Sequence, residues 1–316
     1  MLPPLAVFDY FRKLFTSLET LSNSSNTELD QTKQVHLRAL NYLGISYALG
    51  YSLLLFVVTF FVTIPFAYED GSGNRDEESI SSIRYLTIYI FFNFIANYVL
   101  LRYGAKKSIY CTPRDLPLYS ATTREDWKTC KQCNQDVPER THHCPLCNMC
   151  VLKRDHHCFF VGCCVGFHNQ RYFICCAFHT LLCCALSFYF MMTYLSAHYV
   201  TFLGPEFFKY FLPYALVVWL FGSTTFGIFF HILIFYLNIT TLLASIFFFI
   251  WQFNLVKGGQ TSYEFVKGKK TYQTNLLTSI RSVFGPFWIL NFIFPMPCFK
   301  NEGDGKTWMN GNTKYL

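Results

Sequence analysis

Residues 130–164 read CKQCNQDVPERTHHCPLCNMCVLKRDHHCFFVGCC. Eight of the fourteen cysteines in the chain fall inside this stretch, so it carries a purpose of its own. Cys130, Cys133, His143 and Cys150 form the pattern C-x2-C-x9-H-x6-C. Adding fourteen to each number gives Cys144, Cys147, His157 and Cys164, the same pattern again. The two sets interleave and share no residue. Zinc takes four thiolate or imidazole ligands tetrahedrally in structural sites, and dense Cys/His runs at C-x2-C intervals are its signature. Two structural Cys3His zinc ions are therefore expected. Accidental spacing is a poor alternative, because all four positions shift together.

A second shift by fourteen moves Cys144 to Cys158 but Cys147 to Val161, so a third zinc set does not form. Cys158 is left without a metal and follows Asp155-His156-His157. With His157 assigned to zinc, Asp155 and His156 have no structural task. An imidazole can take the thiol proton and a carboxylate can orient the imidazole, so Asp155, His156 and Cys158 read as an activated nucleophile. Metal ligands on both sides would fix the backbone that carries them.

Outward from this loop the chain is apolar. Of 316 residues, 52% are hydrophobic and 20% aromatic, with mean hydropathy +0.25 and only 14% charged against about a quarter in soluble domains. Disorder, collagen and a secreted disulfide scaffold are excluded on that basis. A spanning helix needs about 20 apolar residues. Residues 43–67, 85–101, 172–196 and 230–252 are the expected crossings. The second carries Asn93 and Asn97, which suits a face turned toward other helices. Residues 206–228 are read as an apolar segment that does not cross, on the lumenal side. Two crossings within 210–256 is the chief alternative. Lys and Arg number four in 1–42, eleven in 102–171 and eight in 253–316, against two in 68–84 and one in 197–210. By the positive-inside rule the three basic segments are cytosolic, including both termini. The fold expected is an α-helical polytopic membrane protein, with four transmembrane helices and a cytosolic two-zinc domain, 102–171, between the second and third. The N-terminal segment is 1–42, within which 3–21 is mildly amphipathic. The C-terminal tail is 253–316. A sequon at Asn23 would be cytosolic and unused.

Asp155-His156-His157-Cys158 within this loop resembles the DHHC family of protein S-acyltransferases. Pro138-Glu139-Arg140, His143-Cys144-Pro145-Leu146-Cys147, Gly166 and Asn169 resemble it too. Thr261-Ser262-Tyr263-Glu264 resembles the family's TTxE motif, and Tyr272 with Val283-Phe284-Gly285 its C-terminal motif. The likeness covers about 40–290. Departures are Phe159-Phe160 for Pro-Trp, Gly162-Cys163 for Asn-Asn, no DPG near Tyr103-Gly104, Asn275 for Gly and Ser279 for Asn. A branch of the "member 24" type also lacks Pro-Trp. The resemblance implies a two-step transfer from palmitoyl-CoA, or another long-chain acyl-CoA, through a Cys158 acyl-enzyme. The acceptors would be cysteines on the cytosolic side of membrane-associated proteins. Endomembranes, Golgi or endoplasmic reticulum, are the expected location.

Lys153, Arg154 and Arg171 are candidates for the CoA phosphates, with anionic lipid headgroups as the competing partner. Phe91, Phe92, Phe94, Phe188 and Phe190 read as packing or lipid contacts. Cys163 reads as a small buried residue, and Cys175, Cys176, Cys183 and Cys184 as helix filler. His179, His198 and His231 lack a Cys/His frame. Cys111 and Cys298 are cytosolic thiols open to acylation. Two other functions compete: a catalytically silent membrane zinc scaffold for protein interaction, and a nucleic-acid-binding zinc protein. Membrane helices and the lack of finger-type spacing exclude nucleic acid as a partner.

Overall fold

The computed structural model describes residues 27–70, 72–110, 127–268, 272 and 275–308. Segment 3–21, the Asn23 sequon and Cys111 lie outside them. Among the described residues four helices are long and apolar enough to cross a membrane. The first, α1, runs over Thr27–Ser46, Ser52–Val58 and Ile64–Ala67, with π-helical turns at Tyr47–Tyr51 and Thr59–Thr63 between. The others are α2 (Glu77–Ser108), α3 (Gln170–His198) and, after a short 3-10 turn and α4 (Leu212–Leu220), α5 (Phe226–Lys257). The 32 residues of α2 span about 48 Å, well beyond a hydrocarbon core of ~30 Å. Hydropathy marks only the apolar middle of such a helix. Its ends are charged, with Glu77 and Glu78 in the first turn of α2 and Lys106 and Lys107 in the last, where the helix dipole favours each sign. Nine residues of α4 reach about 14 Å, too short to cross.

The chain divides into two compact units. One comprises residues 49–97 and 174–250 and is helical. Its core joins Tyr51, Leu55 and Val58 of α1 to Cys184, Met191 and Leu195 of α3 and to Ile232, Ile234 and Phe235 of α5. Polar contacts supplement this packing. Thr59 Oγ1 donates to Ser187 Oγ at 2.8 Å, and Asn238 Nδ2 to the Cys184 carbonyl at 3.1 Å. Asn93 and Asn97 are fully buried, each giving Nδ2 to a carbonyl one turn back. His179, His198 and His231 each bond the carbonyl four residues earlier through Nδ1. A cavity of about 40 Å³ is lined in part by Thr59, Thr87, Thr180, Cys183 and Ser187.

The other unit comprises residues up to 48, 98–173 and from 251 onward. Between β1 (Ile109–Tyr110) and α3 it holds three small antiparallel hairpins: β2–β3 (Lys128–Cys130, Gln135–Val137), β4–β5 (His142–Cys144, Met149–Val151) and β6–β7 (His156–Cys158, Cys163–Val165). Each is displaced by fourteen residues from the last, so the fourteen-residue sequence repeat is a repeat of hairpins. Asn134, Asn148 and Gly162 occupy equivalent turn positions, all with positive φ (47°, 51° and 65°), which Asn and Gly tolerate best. After α5 come α6 (Ser262–Val266), α7 (Leu276–Phe284) and α8 (Leu290–Ile293). Asn275 caps α7 by accepting from Thr278 N at 2.8 Å, which gives this departure from the family pattern a local role. Ser279, the other departure in that motif, is buried within the same helix.

A buried ion pair holds the C-terminal segment to the hairpins. Thr261 and Glu264 form a capping box on α6, and Glu264 also accepts two bonds of 2.6 Å from Arg140. The guanidinium of Arg140 lies 4.3 Å from the Tyr272 ring and 4.4 Å from the Trp308 ring, and donates to the Gly259 carbonyl. Both partners are 3% exposed. Removing one partner of such a pair strands the other charge, at a cost of about 3–5 kcal/mol. Glu264→Ala should lower unfolding stability of the purified protein by that amount, and Glu264→Gln, which keeps an acceptor, by less. Equal stability of Glu264→Ala and wild type in chemical denaturation would refute the ion pair's structural role.

Candidate active site and metal centres

Strand geometry sorts the Cys and His residues. Directly opposed pairs in a hairpin share a face, and neighbours along a strand face opposite ways. His143 is opposite Cys150 in β4–β5, and His157 opposite Cys164 in β6–β7. The first pair meets Cys130 and Cys133 from the preceding hairpin, and the second meets Cys144 and Cys147. Each set has its four donor atoms within 4.8 Å of one another. Cys133 Sγ is 3.2 Å from His143 Nδ1 and 3.6 Å from Cys150 Sγ. Cys147 Sγ is 3.3 Å from His157 Nδ1 and 3.8 Å from Cys164 Sγ. Sulfurs at the corners of a tetrahedron with bonds of ~2.3 Å stand about 3.8 Å apart, so both sets fit zinc. Each ion would staple one hairpin to the next. The second imidazole is also oriented: His157 Nε2 meets Asn41 Oδ1 at 3.0 Å. Such an outer partner fixes which ring nitrogen faces the metal.

On β6–β7 the face opposite His157 and Cys164 carries His156, Cys158, Cys163 and Val165. The alternation thus separates the metal ligands from His156 and Cys158, while Asp155 stands just ahead of the strand. His156 Nδ1 meets Asp155 Oδ2 at 2.6 Å. That carboxylate also takes Gln252 Nε2 at 2.7 Å and Ser262 Oγ at 3.0 Å on Oδ2, and Ser262 N at 2.6 Å on Oδ1. Gln252, at the end of α5, is itself bonded by Gln170 Nε2. Burial alone would raise the Asp155 pKa, but the bonds from His156, Ser262 and Gln252 hold it below the usual carboxylate value. Burial likewise opposes charge on His156, while the bond to Asp155 and the nearby Cys158 sulfur bring its pKa up to about 9. An imidazole with that affinity for protons, oriented by a carboxylate and beside a thiol, can hold the proton that the thiol gives up and leave a thiolate beside it.

The tip Phe159–Gly162 is held by its backbone. Tyr98 Oη donates to the Phe160 carbonyl at 2.9 Å, and Arg102 Nη1 to the Val161 and Gly162 carbonyls at 3.2 and 2.7 Å. Gly44 packs so closely that a Cβ there would stand 2.6 Å from the Phe159 carbonyl oxygen. The Tyr47 and Phe160 rings are 6.2 Å apart. Asn169 follows at the end of the hairpin, accepting from Gly166 N and giving Nδ2 to the Leu101 and Cys164 carbonyls.

Of the residues singled out for CoA phosphates, Lys153, Arg154 and Arg171 are all buried. Lys153 Nζ lies 5.6 Å from the Trp308 ring, and burial together with the charge of Arg140 pushes its pKa down to about 7. The Arg154 guanidinium lies 5.7 Å from the Tyr263 ring, and Arg171 donates to the Phe299 carbonyl and the Tyr172 hydroxyl. Cys163 is buried, and Cys298 is exposed. Asn41, Gln252, Arg102 and Tyr98 escape sequence reading. Only Gln252 left a trace, as an amide within an uncharged run of 47 residues, 210–256.

The DHHC palmitoyltransferase family model matches residues 123–269. A mouse protein named palmitoyltransferase ZDHHC22 is 31% identical over 261 residues, covering 82% of this chain and 94% of that protein. Its human counterpart is 30% identical over 265 residues with the same coverage. A rat protein named probable palmitoyltransferase ZDHHC24 is 29% identical over 195 residues, 58% of this chain and 64% of that protein. Likeness to the ZDHHC22 proteins therefore runs along more of the chain than likeness to the ZDHHC24 branch.

Two zinc ions per chain are expected on elemental analysis. Cys133→Ala and Cys147→Ala should each remove one ion, and unchanged metal content in both would overturn the interleaved assignment. Asn41→Ala should keep both ions but weaken the second site about 10- to 100-fold, the usual cost of an outer-shell partner, read as faster loss of one ion of two to a chelator.

Proposed function

This chain belongs to the DHHC palmitoyltransferase family, and we propose that its acyl transfer runs through Cys158, with His156 as base and Asp155 as its orienter. The protein is a membrane-bound protein S-palmitoyltransferase that uses acyl-CoA and protein substrates. The observation that carries the residue assignment is that His156, bonded to Asp155 at 2.6 Å, shares with Cys158 the face of β6–β7 turned away from the metal ligands.

In the first step the Cys158 thiolate, its proton already held on His156, attacks the thioester carbonyl of acyl-CoA. The carbon–sulfur bond to CoA breaks, and His156 returns the proton to the departing CoA thiolate. In the second step an acceptor cysteine gives its proton to His156 and attacks the acyl-enzyme. Cys158 leaves and recovers that proton. Asp155 keeps the imidazole in one orientation throughout. The two Cys3His sets would hold zinc, which would brace the hairpins without entering these steps. Lys153, Arg154 and Arg171 are buried, so we assign them an electrostatic pull on the CoA phosphates at a distance. The acceptors proposed are cytosolic cysteines of membrane-associated proteins, within Golgi or endoplasmic reticulum membranes. A buried CH2 is worth ~0.8 kcal/mol, so a sixteen-carbon chain supplies most of the donor's binding energy.

Clickable palmitoyl-CoA tests the assignment. Cys158→Ser should keep zinc and expression and abolish hydroxylamine-sensitive labelling. His156→Ala should keep zinc but slow labelling by about 100- to 10,000-fold, the usual loss for a general base. His157→Ala should instead lose metal. Wild-type labelling in Cys158→Ser would mean another thiol carries the acyl group, and a wild type that never labels would favour the silent scaffold.

We also propose that both tails and residues 102–171 face the cytosol, because the basic residues concentrate there. Epitope tags at residues 1 and 316 should be cleaved by protease added outside sealed microsomes, and a tag within 68–84 protected. A protected C-terminal tag would contradict this orientation.

A further inference from the structure

Cys163 has no part in either metal set or in the acyl-transfer chemistry. It stands where the family pattern has Asn, directly opposite Cys158 in the register of β6–β7. Opposed residues share a face, with Cα atoms about 4.5–5.5 Å apart, inside the 4.4–6.8 Å that disulfides usually span. Both cysteines are buried, at 5% and 7% exposure. The neighbouring Cys164 faces the other way, opposite His157 in the second metal set. Chain geometry thus gives Cys158 one thiol partner on its own face of the hairpin. The backbone between the two is anchored by Arg102 at Val161 and Gly162 and by Tyr98 at Phe160.

We propose that Cys158 and Cys163 form a peroxide-responsive disulfide pair that reversibly switches off acyl transfer. The proposal rests on the reading of Cys158 as the acyl carrier. In the first step the Cys158 thiolate attacks hydrogen peroxide, the O–O bond breaks, and a sulfenic acid and hydroxide form. In the second, Cys163 loses its proton and attacks the sulfenic sulfur. The S–S bond forms, hydroxide leaves, and the two hydroxides and two thiol protons make two waters. Two thiols are oxidised by two electrons and one peroxide is reduced. The disulfide blocks the sulfur that accepts the acyl group and keeps it from further oxidation to the sulfinic acid, which thiols do not reverse. A dithiol restores the enzyme by exchange at the S–S bond.

The test uses the purified, zinc-loaded full chain in micelles, treated with hydrogen peroxide and quenched with an alkylating reagent. Trypsin releases residues 155–171, between Arg154 and Arg171, and chymotrypsin then cuts after Phe159 or Phe160. The two halves remain joined only if a disulfide links them. Wild type should give the joined peptide, lose palmitoyl-CoA labelling without losing zinc, and regain labelling with dithiothreitol. Prior loading with palmitoyl-CoA should prevent the link. Cys163→Ser should label like wild type before oxidation, give no joined peptide, and lose labelling irreversibly, with Cys158 found as sulfinic acid. Cys163→Asn, the residue of the family pattern, serves in the same way if the Ser variant folds poorly. The proposal is overturned if wild type releases zinc and yields no joined peptide, or if the Cys163 variants recover with dithiothreitol as wild type does. If untreated wild type does not label at all, the acyl-carrier reading fails, and a joined peptide present in wild type and absent from Cys163→Ser then decides the pair.

Discussion

A carboxylate buried to the last atom is the constraint around which the hairpin unit is arranged. Asp155 exposes almost none of its surface, and an ionised carboxylate in such a place is tolerated only when its lone pairs are filled. Four donors fill them: His156, Gln252, the Ser262 amide and the Ser262 hydroxyl. Gln252 comes from the end of α5 and Ser262 from the first turn of α6, nearly a hundred residues along the chain. Satisfying one charge therefore ties the helix end and the α6 turn to the hairpin that carries Cys158. The capping box that shapes that turn also presents Glu264 to Arg140, so two buried charges of the loop are neutralised by one short helix.

The repeat explains why the proposed chemistry falls at the third hairpin and not at the first two. Each metal set takes two cysteines from one hairpin and a His–Cys pair from the next. Cys130, Cys144 and Cys158 occupy the same place on successive hairpins. For Cys158 the second cysteine is Val161, and the hairpin that would follow is replaced by helix α3, which begins at Gln170. The third hairpin thus has one face turned to a metal and one face left over. The leftover face holds a cysteine at a ligand position without a ligand's task. Rigid support from a metal site behind it and freedom from a metal in front are what a nucleophilic thiol needs.

The sequence was legible where periodicity or ligand spacing speaks. Fourteen-residue spacing gave both metal sets and isolated Cys158, and uninterrupted apolar runs gave four helices. It was silent where a contact depends on how the chain returns on itself. Asn41 is an ordinary helix residue until His157 meets it, and Gln252 is one amide among many until Asp155 does. Helix ends were also invisible, because α2 extends past its apolar middle into charged sequence, Glu77-Glu78 at one end and Lys106-Lys107 at the other, that hydropathy does not count. For Lys153, Arg154 and Arg171, charge type suggested exposed phosphate partners, whereas the fold buries all three against aromatic rings and carbonyls.

The missing Pro-Trp bears on whether the site is intact. Proline after the nucleophile would limit the backbone of the tip by its fixed φ. Here Phe159 brings no such restriction, yet the tip is bounded from outside. Tyr98 and Arg102 hold three successive carbonyls, Phe160 to Gly162, and the absent side chain of Gly44 lets α1 close on the carbonyl of Phe159. Three consecutive carbonyls are thereby held by α2 and the one before them packs against α1, which replaces a local restraint by a tertiary one. The replacement alters the tip's surface, since Phe160 is 44% exposed, but leaves His156, bonded to Asp155, and Cys158 on one face of the strand pair. A change of the tip's side chains without loss of backbone restraint fits an altered preference for what docks there better than it fits a dismantled catalytic site.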